Sequence, residues 1–202
     1  MKKKADGVRG TECAQALGFW TVGIQYLHMV EVVTRETIKQ GNPFVVVSDG
    51  KLSLEEYAKQ TNWSDHQLVI PLLFDFYHGI EVLLKGFLIA TGFSPENRHN
   101  LSELLDTFES KFPSYALCTR FRKYIVTEYL PEPLAAFCSH SDVTIDDYYQ
   151  ALKYPVSTNG AMFHHSPLKY HGSTGLSFFE GLVSDIADIR KEAVSLGRSI
   201  CQ

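Results

Sequence analysis

The chain has 202 residues, enough for one domain with a substantial core. Hydrophobic residues make up 45% and charged residues 21%, which excludes a disordered or fibrous chain. The formal charge of −4 excludes a global basic field, so any nucleic-acid contact has to be local.

Cys13, Cys118, Cys138 and Cys201 form no CxxC pair. They match neither a zinc site nor a dense disulfide framework, and a reduced, cytoplasmic protein is expected. The start MKKKADGVRG is basic, but no uninterrupted apolar stretch follows it. It reads as a solvated, flexible tail over residues 1–10 rather than a signal peptide.

In chain order, the first long helix is expected from about Thr11 to Gln40. Leu17, Trp20, Ile24, Leu27 and Glu31 recur on it at helical steps. Gly41-Asn42-Pro43 stops it. Trp20, Tyr26 and His28 read either as a pocket or as plain core. Phe44 to Val47 is a short strand or an extended segment, and Ser53-Leu54-Glu55-Glu56 is a capping box that opens a short helix.

A second capping signature at Ser64 starts the most hydrophobic stretch, Leu68 to Thr91. Its apolar residues fall nearly all round a helix, so the spacing predicts a central core helix bent near Pro71. A membrane span is not expected, because Asp75, His78, Glu81 and Lys85 would put charge at mid-bilayer. His78, Glu81 and Lys85 share an arc of roughly 60°. Gly79 and Gly86 line an adjacent strip open to another backbone. The polar stripe reads either as a solvated edge with a Glu81–Lys85 pair or as a ligand or interface site.

After Gly92, Asn100 and Glu103 cap a third helix, which places Arg98 and His99 at a helix N-terminus suited to an anion. Helix resumes from Ser114 to Tyr129. There Arg120, Arg122 and Lys123 interleave with Phe121 and Tyr124, the most basic patch and a candidate nucleic-acid contact. Residues 148–155 and about 161–171 are expected to pair as a β-hairpin, part of an insertion over about 140–172. His140, His164, His165 and His171 lie in or beside it without metal-ligand spacing, so neither a metal nor a cofactor is expected. The last long helix runs from about Leu176 to Ser199 with a regular apolar stripe. Together these elements predict one mainly all-α domain over residues 1–202, built as an up-and-down four-helix bundle with short extra helices and the hairpin before the final helix.

The run IPLLFDFYHGIEVLLKGFLIATG, the later HNLSELL and the YYQALKYP segment resemble the HEPN family of helical domains over roughly residues 65–200. The resemblance implies a bundle, often a homodimer, linked to nucleotide or RNA binding. It also implies a toxin–antitoxin or phage-defence setting, with a nucleotidyltransferase-type protein as one candidate partner. Many relatives are metal-independent ribonucleases marked by an Arg followed four to six residues later by His. This chain departs from that pattern, since no Arg has a His at that spacing.

The leading expectation is therefore a non-catalytic HEPN-like bundle that binds nucleotide, RNA or a protein partner. Lys85 would meet phosphate, Glu81 would orient Lys85, and His78 with His99 or Tyr154 would line the rim. The alternatives are a divergent ribonuclease using Arg98 and His99, and a homodimeric module joined through the glycine strip.

Overall fold

The computed structural model describes residues 2–94 and 99–202, with side chains from Gly10 onward. It is all-α. Its helices are α1 (Lys2–Gln40), α2 (Leu54–Thr61), α3 (Asp65–Ala90), α4 (Leu101–Lys111), α5 (Ala116–Ile125), α6 (Glu132–Ser141), α7 (Tyr148–Ala151) and α8 (Leu176–Cys201). The tail expected at residues 1–10 falls almost wholly outside the described side chains.

The three long helices, α1, α3 and α8, pack on one another, while α4 lies against α3 and α5 against α8. A fourth long rod is not formed. Pro113 and the Pro131–Pro133 stretch divide that part of the chain into short helices, because proline withdraws a backbone donor. The predicted β-hairpin is likewise replaced. No strand occurs among the described residues, and only an isolated bridge joins Val156 to Met162. In place of its first limb, α7 turns Tyr148 and Ala151 inward together, an i, i+3 pair that a strand would have separated.

On α1 the buried side chains are Ala16, Trp20, Leu27, Val30, Thr34 and Thr37, a stripe at steps of three and four with one longer gap, and Glu31 beside Val30. Gly23 fills that gap, and a Cβ there would sit 2.8 Å from Leu83 Cγ. Leu17, expected in the stripe, is 61% exposed, and His28 points outward, so no Trp20–Tyr26–His28 pocket forms.

The glycine strip of α3 is already occupied by α1, which rules it out as a free dimerisation surface. A Cβ on Gly79 would lie 3.1 Å from Tyr26 Cβ, and one on Gly86 would lie 2.7 Å from Trp20 Cδ1. The far edge of the same indole abuts Gly197 of α8, where a Cβ would be 3.1 Å from Cζ3. Trp20 is therefore a wedge between two glycines on two helices, with its ring tilted against Phe87 at 5.2 Å between centroids.

By length and hydropathy alone α3 would suit a membrane span, yet 56% of its most apolar window is buried inside the protein. Ser64 precedes α3 but makes no side-chain cap. Instead Asn42, fully buried at φ +53°, accepts the Asp65 N–H at 2.6 Å and donates to Gly172 O at 2.8 Å. Asp65 in turn accepts the N–H groups of Tyr170 and His171. One buried Asn–Asp pair thus ties the end of α1 and the start of α3 to the loop before α8.

Cys13 and Cys201 form a disulfide that joins α1 to α8 across 188 positions. This corrects the expectation that all four cysteines are reduced thiols. Cys118 and Cys138 are free and buried, and burial pushes the Cys138 thiol up to about 11.

Candidate functional site

Helical spacing on α3 puts Glu81 and Lys85 on successive turns, and the fold brings two further segments to them. Asn100 caps α4 by accepting the Glu103 N–H at 2.8 Å, and this fixes His99 beside α3. The turn before α7 is tied to the same helix start, since Asp146 Oδ1 accepts the Ser102 N–H at 2.8 Å. Tyr148 and Tyr149 are thereby set against His99.

Glu81 is the centre of this cluster and is 1% exposed. Its carboxylate accepts from Lys85 Nζ at 2.6 Å, from His99 Nδ1 at 2.9 Å and from the Tyr148 hydroxyl. Burial pushes the Glu81 carboxyl up, but donation from Lys85, Tyr148 and His99 outweighs it, so the group stays below the usual carboxylate range. Tyr148 is pushed far up by burial and by the carboxylate it serves, which keeps it a hydroxyl donor. A buried anion with three donors satisfies the rule that interior charge must be paired.

The outer edge of the cluster is aromatic and cationic. His99 stacks on Tyr149 with centroids 4.0 Å apart and planes 13° from parallel. Lys153 Nζ lies over the Tyr149 ring at 4.7 Å and over Tyr154 at 5.3 Å. His78 sits on the same side of α3, edge-on to Tyr26 and parallel to Phe74, whose ring also meets Tyr148 and Tyr149. Its Nδ1 is buried without a hydrogen-bond partner. Burial holds the His78 imidazole below its ordinary value, and the Glu81 carboxylate only partly opposes this.

The predicted residues thus separate into three groups. Glu81, Lys85 and His99 meet directly, with His78 alongside. Tyr154 is 49% exposed and is linked to the cluster through Lys153, so Tyr149 takes the rim position expected of Tyr154 while Tyr148 lies buried against Glu81. Arg98 lies outside the described residues. Tyr148, Tyr149 and Lys153 were missed as a set, although they share the YYQALKYP segment that carries the resemblance. Their i, i+1 and i+5 spacing gives no sign of a common site until α7 folds.

The predicted nucleic-acid patch is not a free basic field. Arg120 pairs with Asp185 at 2.7 Å and with Asp188, Arg122 with Glu109 at 2.5 Å, and Lys123 with Asp185 at 2.5 Å. Asp185 is 4% exposed and also accepts from the Tyr124 hydroxyl at 2.8 Å. Burial raises its carboxyl, and donation from Lys123, Tyr124 and Arg120 more than reverses that. All three cations are spent on intramolecular pairs that hold α5 to α8 and to α4. Among the described residues no group of three or more His, Cys, Asp or Glu side chains converges as a metal site.

Neither protein-family models, nor curated proteins, nor solved structures gave a match to this chain. A buried carboxylate, a Lys and a His held by it, and an aromatic–cation edge make a cluster whose exposed side is suited to an anion carrying a planar group. Lys153 and the partly exposed His99 are the groups available at the edge, while Lys85 is drawn inward, with 13% of its side chain exposed.

Proposed function

We propose that this chain is a HEPN-like helical module that binds a nucleotide or RNA at the exposed edge of the Glu81–His99–Lys153 cluster without cleaving it. The carrying observation is the Glu81 hub. One buried carboxylate fixes Lys85, His99 and Tyr148, and so preorganises the stacked His99–Tyr149 edge under the Lys153 ammonium. Aromatic rings accept bases, and lysine meets phosphate as a point charge. The resemblance over residues 65–200 supports the same ligand class, and the missing Arg-to-His spacing supports binding without catalysis. The Cys13–Cys201 disulfide is of the kind that persists in an oxidising compartment, so this reading does not lean on the cytoplasmic setting expected from the cysteine spacing.

The test is titration of purified protein with ATP and with a labelled single-stranded RNA. Saturable binding is expected, and Lys153→Ala should weaken it by roughly three- to tenfold with the melting temperature unchanged, because Lys153 is exposed. Arg122→Ala should not alter it. Absence of binding by the wild-type protein, or equal binding by Lys153→Ala, removes the proposal.

A second reading, a divergent metal-independent ribonuclease, is favoured by the contact between Glu81 and His99 Nδ1. That contact orients the imidazole as a general base requires. RNA incubated with the protein in EDTA decides it. Cleavage lost in His99→Ala supports this reading, and no cleavage by the wild type ends it.

A further inference from the structure

A second concave surface lies away from the Glu81 cluster, between α1 and α8. It is an open groove of about 660 Å³. Trp20 and Gly197 are among its lining, Leu17 and Val194 project beside them at 61% and 40% exposure, and the Cys13–Cys201 disulfide is part of it too. Along α1 the lining runs from Cys13 to Gln25, about 18 Å at the helical rise.

Its electrostatics are one-sided. Among the described lining residues Arg198 is the one charged side chain; the other polar ones, Thr21, Gln25 and Gln202, are neutral. A neighbouring depression shares Arg198 and adds Lys191. Arg35, Arg120, Arg122 and Arg190 all pair with carboxylates. Arg198 forms no ion pair among the described residues. An elongated apolar trough with an unspent guanidinium at its rim complements a molecule with a single apolar chain and an anionic head.

We propose that the α1–α8 groove binds a single-chain carboxylate amphiphile, an acyl chain lying along Leu17, Trp20 and Val194 with its carboxylate on Arg198. This site is separate from the Glu81 cluster proposed for the nucleotide, and neither proposal depends on the other.

The probe is monomeric dodecanoate, titrated into the full chain by calorimetry and by tryptophan emission, since Trp20 lines the groove. Saturable binding with an emission change is expected. Arg198→Gln should weaken it by about tenfold, the loss of one charge-assisted contact. Leu17→Glu and Val194→Glu should abolish it while leaving the circular-dichroism melt intact, since both side chains are exposed. The proposal is overturned if dodecanoate does not saturate, if Arg198→Gln binds equally, or if dodecyltrimethylammonium binds as well as dodecanoate. It is also overturned if sedimentation shows a wild-type dimer that Leu17→Glu converts to monomer, because the groove is then covered by a second copy.

Discussion

Replacing Glu81 by Gln tests whether the polar stripe of α3 is an interior hub or a solvated edge. The carboxylate is 1% exposed and takes three donors. Glutamine has the same length but one acceptor oxygen, and its amide N–H groups would face either the Lys85 ammonium or the Tyr148 hydroxyl with His99 Nδ1. Breaking a buried ion pair from one side costs about 3–5 kcal/mol. The flexible stem of Lys85 lets its ammonium move toward water, so about 2–4 kcal/mol is expected here. For a domain of this size that is a fall in melting temperature of roughly 5–15 °C. Urea and thermal unfolding followed by circular dichroism at pH 7 would measure it. Adding Lys85→Met should restore part of the loss, because the stranded ammonium is removed with it. A loss below about 0.5 kcal/mol, the range of an exposed i, i+4 pair, would refute the hub.

Further outcomes follow from the packing and the titrating groups. Gly86→Ala should destabilise by about 1–2 kcal/mol: its Cβ meets Trp20, and Gly197 blocks the indole from retreating. Gly18→Ala, with nothing within 4 Å of its Cβ, should instead stabilise by about 0.5–1 kcal/mol, and equal signs in the two melts would contradict the wedge. Reducing the Cys13–Cys201 bond, or Cys201→Ser, releases a closure of 188 positions, for which the chain-entropy relation gives up to about 5 kcal/mol. An unchanged urea midpoint would show that the ends are held without it. On acidification two stages are expected. His78 is depressed by burial, so the unfolded chain protonates first, and its contribution is full above about pH 6.5 and lost as the pH falls below that toward the folded value. Glu81 and Asp185 are depressed by their donors, so their contributions hold above about pH 4 and disappear below it as the folded values are passed. A His78→Gln melt that still shows the upper stage would reassign it.

Much of the architecture was legible because it is written in short-range periodicity. The apolar surround of Leu68–Thr91 identified a covered core helix, and the regular stripe after Leu176 identified its long neighbour. Asn100 and Glu103 marked the start of α4 through a cap that needs only four consecutive residues. Where a reading failed, a distant contact outweighed the local signal. Ser64 looked like the cap of α3, but Asn42, twenty-three positions away, supplies it. The basic patch on α5 looked free because Glu109, Asp185 and Asp188 belong to other helices. The hairpin failed because Tyr148 and Ala151 gain more by turning together onto the core than by alternating along a strand.

The sequence by itself determined the helical class, the position of the central rod, and the arc that carries His78, Glu81 and Lys85. Periodicity and capping are properties of neighbours in the chain, so they survive without coordinates. Only the tertiary structure decided that His99 and Tyr148 converge on Glu81, that the glycines of α3 receive Trp20 and Tyr26 of α1, and that Cys13 meets Cys201. Those pairings join residues 18 to 188 positions apart, and they arise from how whole helices bury one another, which no local spacing records.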